Sequence, residues 1–212
     1  MAGWELLSRP TFQFTPPPPY QPYEIHPATF TPKQCDRILA LGAGLEAAAA
    51  AIEGTHGAHI EDHEIRDSRT AWIQPTEEHS WIFNRLSRLV ERANRRYQFD
   101  LTGFGEDLQF TMYDRPGSFY SWHQDGLDGD ASTRKLSIVV QLSDPADYSG
   151  AELQFFEVAE DYERDQLEDF TALTQQRGTA IVFPSFEYHR VLPLRSGSRS
   201  SLVAWVTGPP FR

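Results

Sequence analysis

From Leu101 onward the chain breaks into short β-prone runs, each closed by a turn, and this punctuation restricts the fold more than any other feature. The runs are Leu108–Tyr113, Ser118–His123, Leu136–Leu142, Glu152–Val158, Thr179–Phe183 and Ser200–Thr207. Between them stand Arg115-Pro116-Gly117, Gly126 to Gly129, Ser149-Gly150, Gln176-Arg177-Gly178 and Ser196-Gly197, whose Gly and Pro residues supply turn backbone. No helix of crossover length is expected between the strands, so they should pair antiparallel, as a sandwich or barrel.

The first hundred residues read differently. Pro16 to Pro19, Pro22 and the aromatic residues around them predict an extended polyproline arm over residues 1–30, either a recognition segment or a strap packed on the domain edge. Thr31-Pro32 starts a helix that Ala47 to Ala51 should prolong to Gly54. His56, His59 and His63 then fall among Glu61 and Asp62 without a clear period, which favours a solvated loop over a metal site. Arg66 to Ile73 predicts one strand. Pro75-Thr76 opens a second helix, in which Ile82, Leu86, Leu89, Val90 and Ala93 form one apolar stripe and five arginines line the rest. The expected architecture is α+β, mainly β. Helical support over 31–100 buttresses a jelly-roll core over 101–212, and residues 31–212 make a single domain. The acidic stretch 157–169 interrupts the strands as a solvated loop, a short helix or a lid.

Composition removes several function classes. A formal charge of −11 disfavours a phosphate-backbone partner, because such affinity comes from Lys and Arg. Cys35 is the only cysteine, which excludes an intramolecular disulfide framework or a thiolate cluster and suggests a reducing, cytoplasmic setting. No apolar run reaches membrane-spanning length, so neither membrane nor nucleic acid is expected as a partner.

The chemistry concentrates in Tyr113 to Asp125. His123 and Asp125 are two apart at the end of an aromatic strand, so a period of two turns both side chains to one face. A second histidine at another strand end would complete two imidazoles and one carboxylate, a set suited to non-haem Fe(II) with open positions opposite. His189 stands there, at the end of Phe183-Pro184-Ser185-Phe186, with Glu187 as a rival ligand. Arg199 lies inside an otherwise apolar strand, where a guanidinium needs an anion to offset its desolvation. A substrate carboxylate or an internal salt bridge would serve, and Arg190 and Arg195 are nearby rivals.

Tyr113, Gly117, Tyr120, His123-x-Asp125, then Gly150-x-Glu152-Leu153, then His189 followed ten residues later by Arg199, together resemble the 2-oxoglutarate and Fe(II)-dependent dioxygenases, in the prolyl and lysyl hydroxylase-like branch. The resemblance covers roughly Leu101 to Thr207 and implies a double-stranded β-helix. It implies that His123, Asp125 and His189 bind iron, that Arg199 and Tyr113 hold the far carboxylate of 2-oxoglutarate, and that Gln141 borders it. O2 is then the oxidant, with ascorbate an optional reductant. The implied activity is hydroxylation of an unactivated C–H bond, with release of succinate and CO2. A carboxylate at Asp125 argues against halogenation. The implied substrate is a prolyl or other amino-acid side chain of a peptide or protein. Alternatives are a free amino acid, a small metabolite, or a non-catalytic iron or oxygen sensor on the same fold. One departure stands out: Ala151 occupies a position where the family often has a second glycine.

Overall fold

The computed structural model describes residues 20–49, 52–53, 59–60, 65–126 and 129–210. The prolines before Tyr20 and the stretch holding His56, Glu61, Asp62 and His63 lie outside them, as does the side chain of His59. In chain order the elements are β1 (Glu24–His26), α1 (Pro32–Ala43), β2 (Ala48–Ala49), β3 (Ile52–Glu53), β4 (His59–Ile60), β5 (Arg66–Asp67), β6 (Arg69–Ile73), α2 (Ser80–Tyr97) and β7 (Gly103–Phe104). They continue through β8 (Leu108–Tyr113), β9 (Phe119–His123), β10 (Arg134–Gln141), β11 (Tyr148–Gly150), β12 (Leu153–Phe155), α3 (Phe156–Asp161) and α4 (Arg164–Gln175). The last are β13 (Ala180–Pro184), β14 (His189–Val191), β15 (Leu194–Gly197) and β16 (Arg199–Thr207).

A larger sheet runs in the order β1-β13-β10-β16-β8-β6-β2, with β7 also on β16, and a smaller one runs β12-β14-β9-β5. All the pairings are antiparallel, and the architecture is a jelly roll with helices packed on one side. The alternation along the central strands explains why they form and which way they face. In β10, Leu136, Ile138 and Val140 meet α1 and α2, while Ser137, Val139 and Gln141 turn to the interior. In β16, Leu202, Ala204 and Val206 take the helix side, and Arg199, Ser201, Val203 and Trp205 line a cavity between the sheets. Both faces are covered, so these strands read as near-continuous apolar runs broken by polar residues at every second place.

The helices meet the sheet as their patterns require. Thr31 caps α1 through a complete capping box with Gln34. The stripe Ile82, Leu86, Leu89, Val90 and Ala93 of α2 is buried, at roughly 1.5–3 kcal/mol for each large side chain removed from water. Gly42 lets α1 approach the sheet, because a Cβ there would come within 2.5 Å of the Phe110 ring.

Several boundaries differ from expectation. Helix α1 ends at Ala43, and Ala48–Ala49 pairs instead with Arg69 and Thr70 on the sheet edge, so strand pairing outweighs the helix propensity of the alanines. Helix α2 starts at Ser80 rather than near Thr76, because Thr76 to His79 form turns whose bonds include the Ser80 hydroxyl to Glu77 O. Arg66 to Ile73 is two strands in two sheets: β5 pairs with β9 and β6 pairs with β8, with Ser68 between them. The run from Glu152 keeps strand form only to Phe155, and the acidic stretch folds as α3 and α4. Helix α4 therefore intervenes between β12 and β13, with Phe170 and Thr174 buried. Ala151 holds φ at 53°, in the left-handed region that glycine prefers.

Candidate functional site

The interior faces of both sheets enclose a cavity of about 690 Å³. His123 and Asp125 reach it from the end of β9, and the Asp125 N–H donates to Ser185 O, which extends the strand's alternation past its last residue. His189 opens β14 and sits directly across the ladder from His123. One donor atom from each of His123, Asp125 and His189 lies within 4.8 Å of the others. The His123 Nε2 is 3.6 Å from Asp125 Oδ1, and the His189 Nε2 is 3.7 Å from Asp125 Oδ2. These spacings are too long for hydrogen bonds. They are a little wider than the ~3 Å between donors that share an ion ~2.1 Å away at right angles.

Hydrogen bonds set the protonation that a cation needs. His123 Nδ1 stands 2.8 Å from Ser121 O, and His189 Nδ1 stands 2.9 Å from Glu187 O. A carbonyl only accepts, so each Nδ1 carries a proton and each Nε2 is the ring atom turned toward the other ligands. Burial, with the nearby His189 ring, pushes His123 down to about 3 and keeps it neutral. Burial raises the Asp125 carboxyl, but His189, His123, the Ser137 hydroxyl and Arg134 outweigh it and hold the group at about 2. Ser137 Oγ donates to Asp125 Oδ2 at 2.7 Å and is itself 3.0 Å from Ser185 Oγ. Tyr120 stacks on His123 at 3.4 Å between centroids, and Phe183 packs against His189 at 4.7 Å, so both rings are held in place.

Arg199 begins β16, opposite Tyr113 of β8, and both are buried. Its Nε donates to Gln141 Oε1 at 3.0 Å, while Gln141 Nε2 donates to the Tyr148 hydroxyl at 2.7 Å. Its Nη1 is buried without a hydrogen-bond partner, and no carboxylate among the described residues pairs with it. The internal salt bridge is therefore absent, and a guanidinium with an orphaned donor faces the cavity. Tyr113 lies beneath it, ring centroid to Cζ 5.5 Å; burial raises its hydroxyl, with Arg66 and Arg199 pulling it back down. The rival cations are elsewhere: Arg195 pairs with Glu152, and Arg190 bonds Gln154 and covers Trp122. The rival ligand Glu187 contributes only its backbone carbonyl, and burial raises its carboxyl to about 7.

A match to the 2OG-Fe(II) oxygenase superfamily model spans residues 108–207, the stretch from β8 through β16 that builds both halves of the cavity. Residues 108–207 are thus similar to that superfamily. Among curated proteins the chain is similar to a PKHD-type hydroxylase of Synechococcus sp. (strain CC9902), 33% identical over 90 residues, or 42% of this chain and 36% of that one. A PKHD-type hydroxylase of Picosynechococcus sp. is 34% identical over 99 residues, 47% of this chain and 41% of that one. The chain thus spans about two fifths of the length of the curated relatives it matches. Among solved structures the fold is similar to a Pseudomonas putida prolyl-4-hydroxylase, with a TM-score of 0.62 and 24% identity over 89% of this chain and 93% of that one. It is also similar to a Trichoplax adhaerens prolyl hydroxylase solved with a hypoxia-inducible factor peptide fragment, with a TM-score of 0.64 and 16% identity over 88% and 83%.

Some contributors to the site carry no motif. Ser137 is legible only as a polar residue on the interior face of an apolar strand. Arg66 lines the cavity at 7% exposure from β5, which the sequence reads as one strand with β6. Trp205 lies under the Arg134 guanidinium at 3.9 Å, and its buried indole nitrogen has no partner.

Proposed function

We propose that this chain is a 2-oxoglutarate-dependent Fe(II) dioxygenase that hydroxylates an unactivated C–H bond, on a prolyl or other amino-acid side chain of a peptide or protein. His123 Nε2, His189 Nε2 and an Asp125 oxygen would hold the metal. Arg199, oriented by Gln141 and flanked by Tyr113, would hold the far carboxylate of 2-oxoglutarate. The observation that carries this reading is one cavity containing two imidazoles, a carboxylate and a buried guanidinium with an orphaned donor. That donor set suits Fe(II), which takes imidazole and carboxylate together and leaves positions free.

Iron and 2-oxoglutarate, when bound, supply the oxygen chemistry that converts the keto acid to succinate and CO2 and leaves one oxygen atom for a C–H bond. The protein's own residues bind and orient. Ser121 O and Glu187 O fix the tautomers, Ser137 fixes the carboxylate, and Phe155, Phe183 and Tyr120 keep water from the imidazoles. The substrate class draws on the names of the relatives, which are hydroxylases and prolyl hydroxylases. Among the described residues no helix is long and apolar enough to cross a membrane.

The test is succinate release from 2-oxoglutarate by the anaerobically Fe(II)-loaded chain on admission of O2, with and without proline-containing peptides. Peptide-stimulated succinate with a mass gain of one oxygen supports the reading. Absence of metal binding and of succinate overturns it.

A further inference from the structure

Arg66 is the second buried cation of the cavity. It sits on β5 beside Tyr120 of β9, its guanidinium 4.5 Å from the Tyr120 ring centroid. Its Nε donates to Ser68 Oγ at 3.0 Å and its Nη2 to Gln109 Oε1 at 2.8 Å. Both partners are neutral, and among the described residues no carboxylate lies within 4 Å. This contrasts with the cavity's third arginine, Arg134, which Glu106 grips with both oxygens at 2.6 Å. A guanidinium more than nine-tenths buried without a counter-ion is costly unless a ligand supplies one.

Charge balance points the same way. The Asp125 carboxylate and a doubly charged keto acid would together neutralise a divalent metal and Arg199. Glu106 neutralises Arg134. Arg66 is left with a positive charge that nothing among the described residues matches. It is also separately placed: its partner Gln109 stands opposite Val203, whereas Arg199 stands opposite Tyr113, four residues away on the same strand. Gln109 and Thr111 hold it from below, since Thr111 Oγ1 donates to the same Gln109 oxygen at 3.0 Å. Near it, the Trp205 indole N–H offers a further donor without a partner.

We infer that Arg66 anchors a carboxylate on the molecule being oxidised, so that the cavity takes an amino acid with a free carboxylate, either as the free molecule or as the last residue of a chain. This rests on the reading of the site as an iron and 2-oxoglutarate centre, and replaces a side chain of any peptide or protein with a substrate that carries a free carboxylate. A fork of N–H donors fits a carboxylate better than it fits a peptide carbonyl. With Nε on Ser68 and Nη2 on Gln109, the Nη1 end makes no hydrogen bond among the described residues and is the end left for a carboxylate.

The experiment titrates L-proline, N-acetyl-L-proline and the primary amide of each into anaerobic protein loaded with Mn(II) and 2-oxoglutarate, following the fluorescence of the cavity tryptophans Trp72 and Trp205. The acids should bind about 10- to 100-fold more tightly than their amides, the range for one charge-assisted contact. Arg66→Gln should erase that preference and Arg66→Lys should keep part of it, with Mn(II) and 2-oxoglutarate affinities unchanged. Tighter binding of L-proline identifies the free amino acid as the source, and tighter binding of N-acetyl-L-proline identifies a chain end. Equal binding of acid and amide, no saturable binding of either acid, or a loss of 2-oxoglutarate affinity in Arg66→Gln overturns the inference. If Mn(II) itself fails to bind, it is the metal reading that has failed. The same titration on metal-free Arg199→Gln protein then still reads Arg66 alone. Should Arg66→Gln not fold, the wild-type comparison of acid with amide decides.

Discussion

Replacing Arg199 with methionine separates a ligand-binding guanidinium from a structural one. In the ligand-free chain the Arg199 side chain bonds Gln141 and the Tyr148 hydroxyl, and leaves Nη1 buried and unpaired. An unsatisfied buried donor costs about 1–3 kcal/mol, and the bonds to Gln141 and Tyr148 contribute about 1 kcal/mol each. Methionine keeps most of the apolar stem, so the two effects nearly cancel. The thermal midpoint of metal-free Arg199→Met should stay level or rise by up to about 4 °C, the shift for roughly 1 kcal/mol in a domain of this size. Binding of 2-oxoglutarate to the Mn(II)-loaded chain should weaken by about 100-fold, the equivalent of about 3 kcal/mol for losing a charged two-point contact. Calorimetry with Mn(II) and then with the keto acid reads both quantities, and Mn(II) affinity should move little. A keto-acid affinity within threefold of wild type, or a midpoint more than about 5 °C lower, would refute the assignment and make Arg199 a structural residue.

The other perturbations address the metal ligands and the frame. Ser137→Ala frees Asp125 Oδ2 from its 2.7 Å hydrogen bond, and equilibrium dialysis should show Mn(II) binding about 10-fold weaker, at the low end for loss of a ligand's supporting bond. His189→Ala should abolish stoichiometric metal, whereas Glu187→Gln should retain it; the reverse result would transfer the third ligand to Glu187. Gly150 has φ 83° and a Cβ there would meet Pro193 O at 2.4 Å, so Gly150→Ala should lower the urea midpoint by an amount equivalent to about 2 kcal/mol or more. Leu86→Ala opens the contact of α2 with the sheet and should cost about 2–5 kcal/mol in the same assay, with metal affinity unchanged in the folded fraction.

Where the sequence was legible, a local rule and the tertiary structure agreed. The α2 stripe, the Thr31 cap and the turns around Gly117 and Gly178 follow from side-chain periodicity and backbone chemistry alone. The spacing of His123 and Asp125 carried the site because a strand's alternation persists past its end through the Asp125 N–H bond to Ser185 O. Legibility failed where distant pairing decided. Ala48–Ala49 became a strand because β6 offered it an edge, and Arg66 moved to the smaller sheet because Ser68 breaks the run into two. Ser137 had no signature beyond its parity on β10, since what it bonds comes from 12 residues upstream. A short helix was one reading of the acidic stretch, but the extent of α4 was concealed by its charge, because only Phe170 and Thr174 of its residues are buried.

The most direct measurement is an anaerobic crystal structure of the chain with Mn(II) and 2-oxoglutarate. The account predicts one metal bound by His123 Nε2, His189 Nε2 and an Asp125 oxygen, with the far carboxylate of the keto acid forked onto Arg199. A metal bound elsewhere, or a keto acid held by Arg66 with Arg199 untouched, would contradict it.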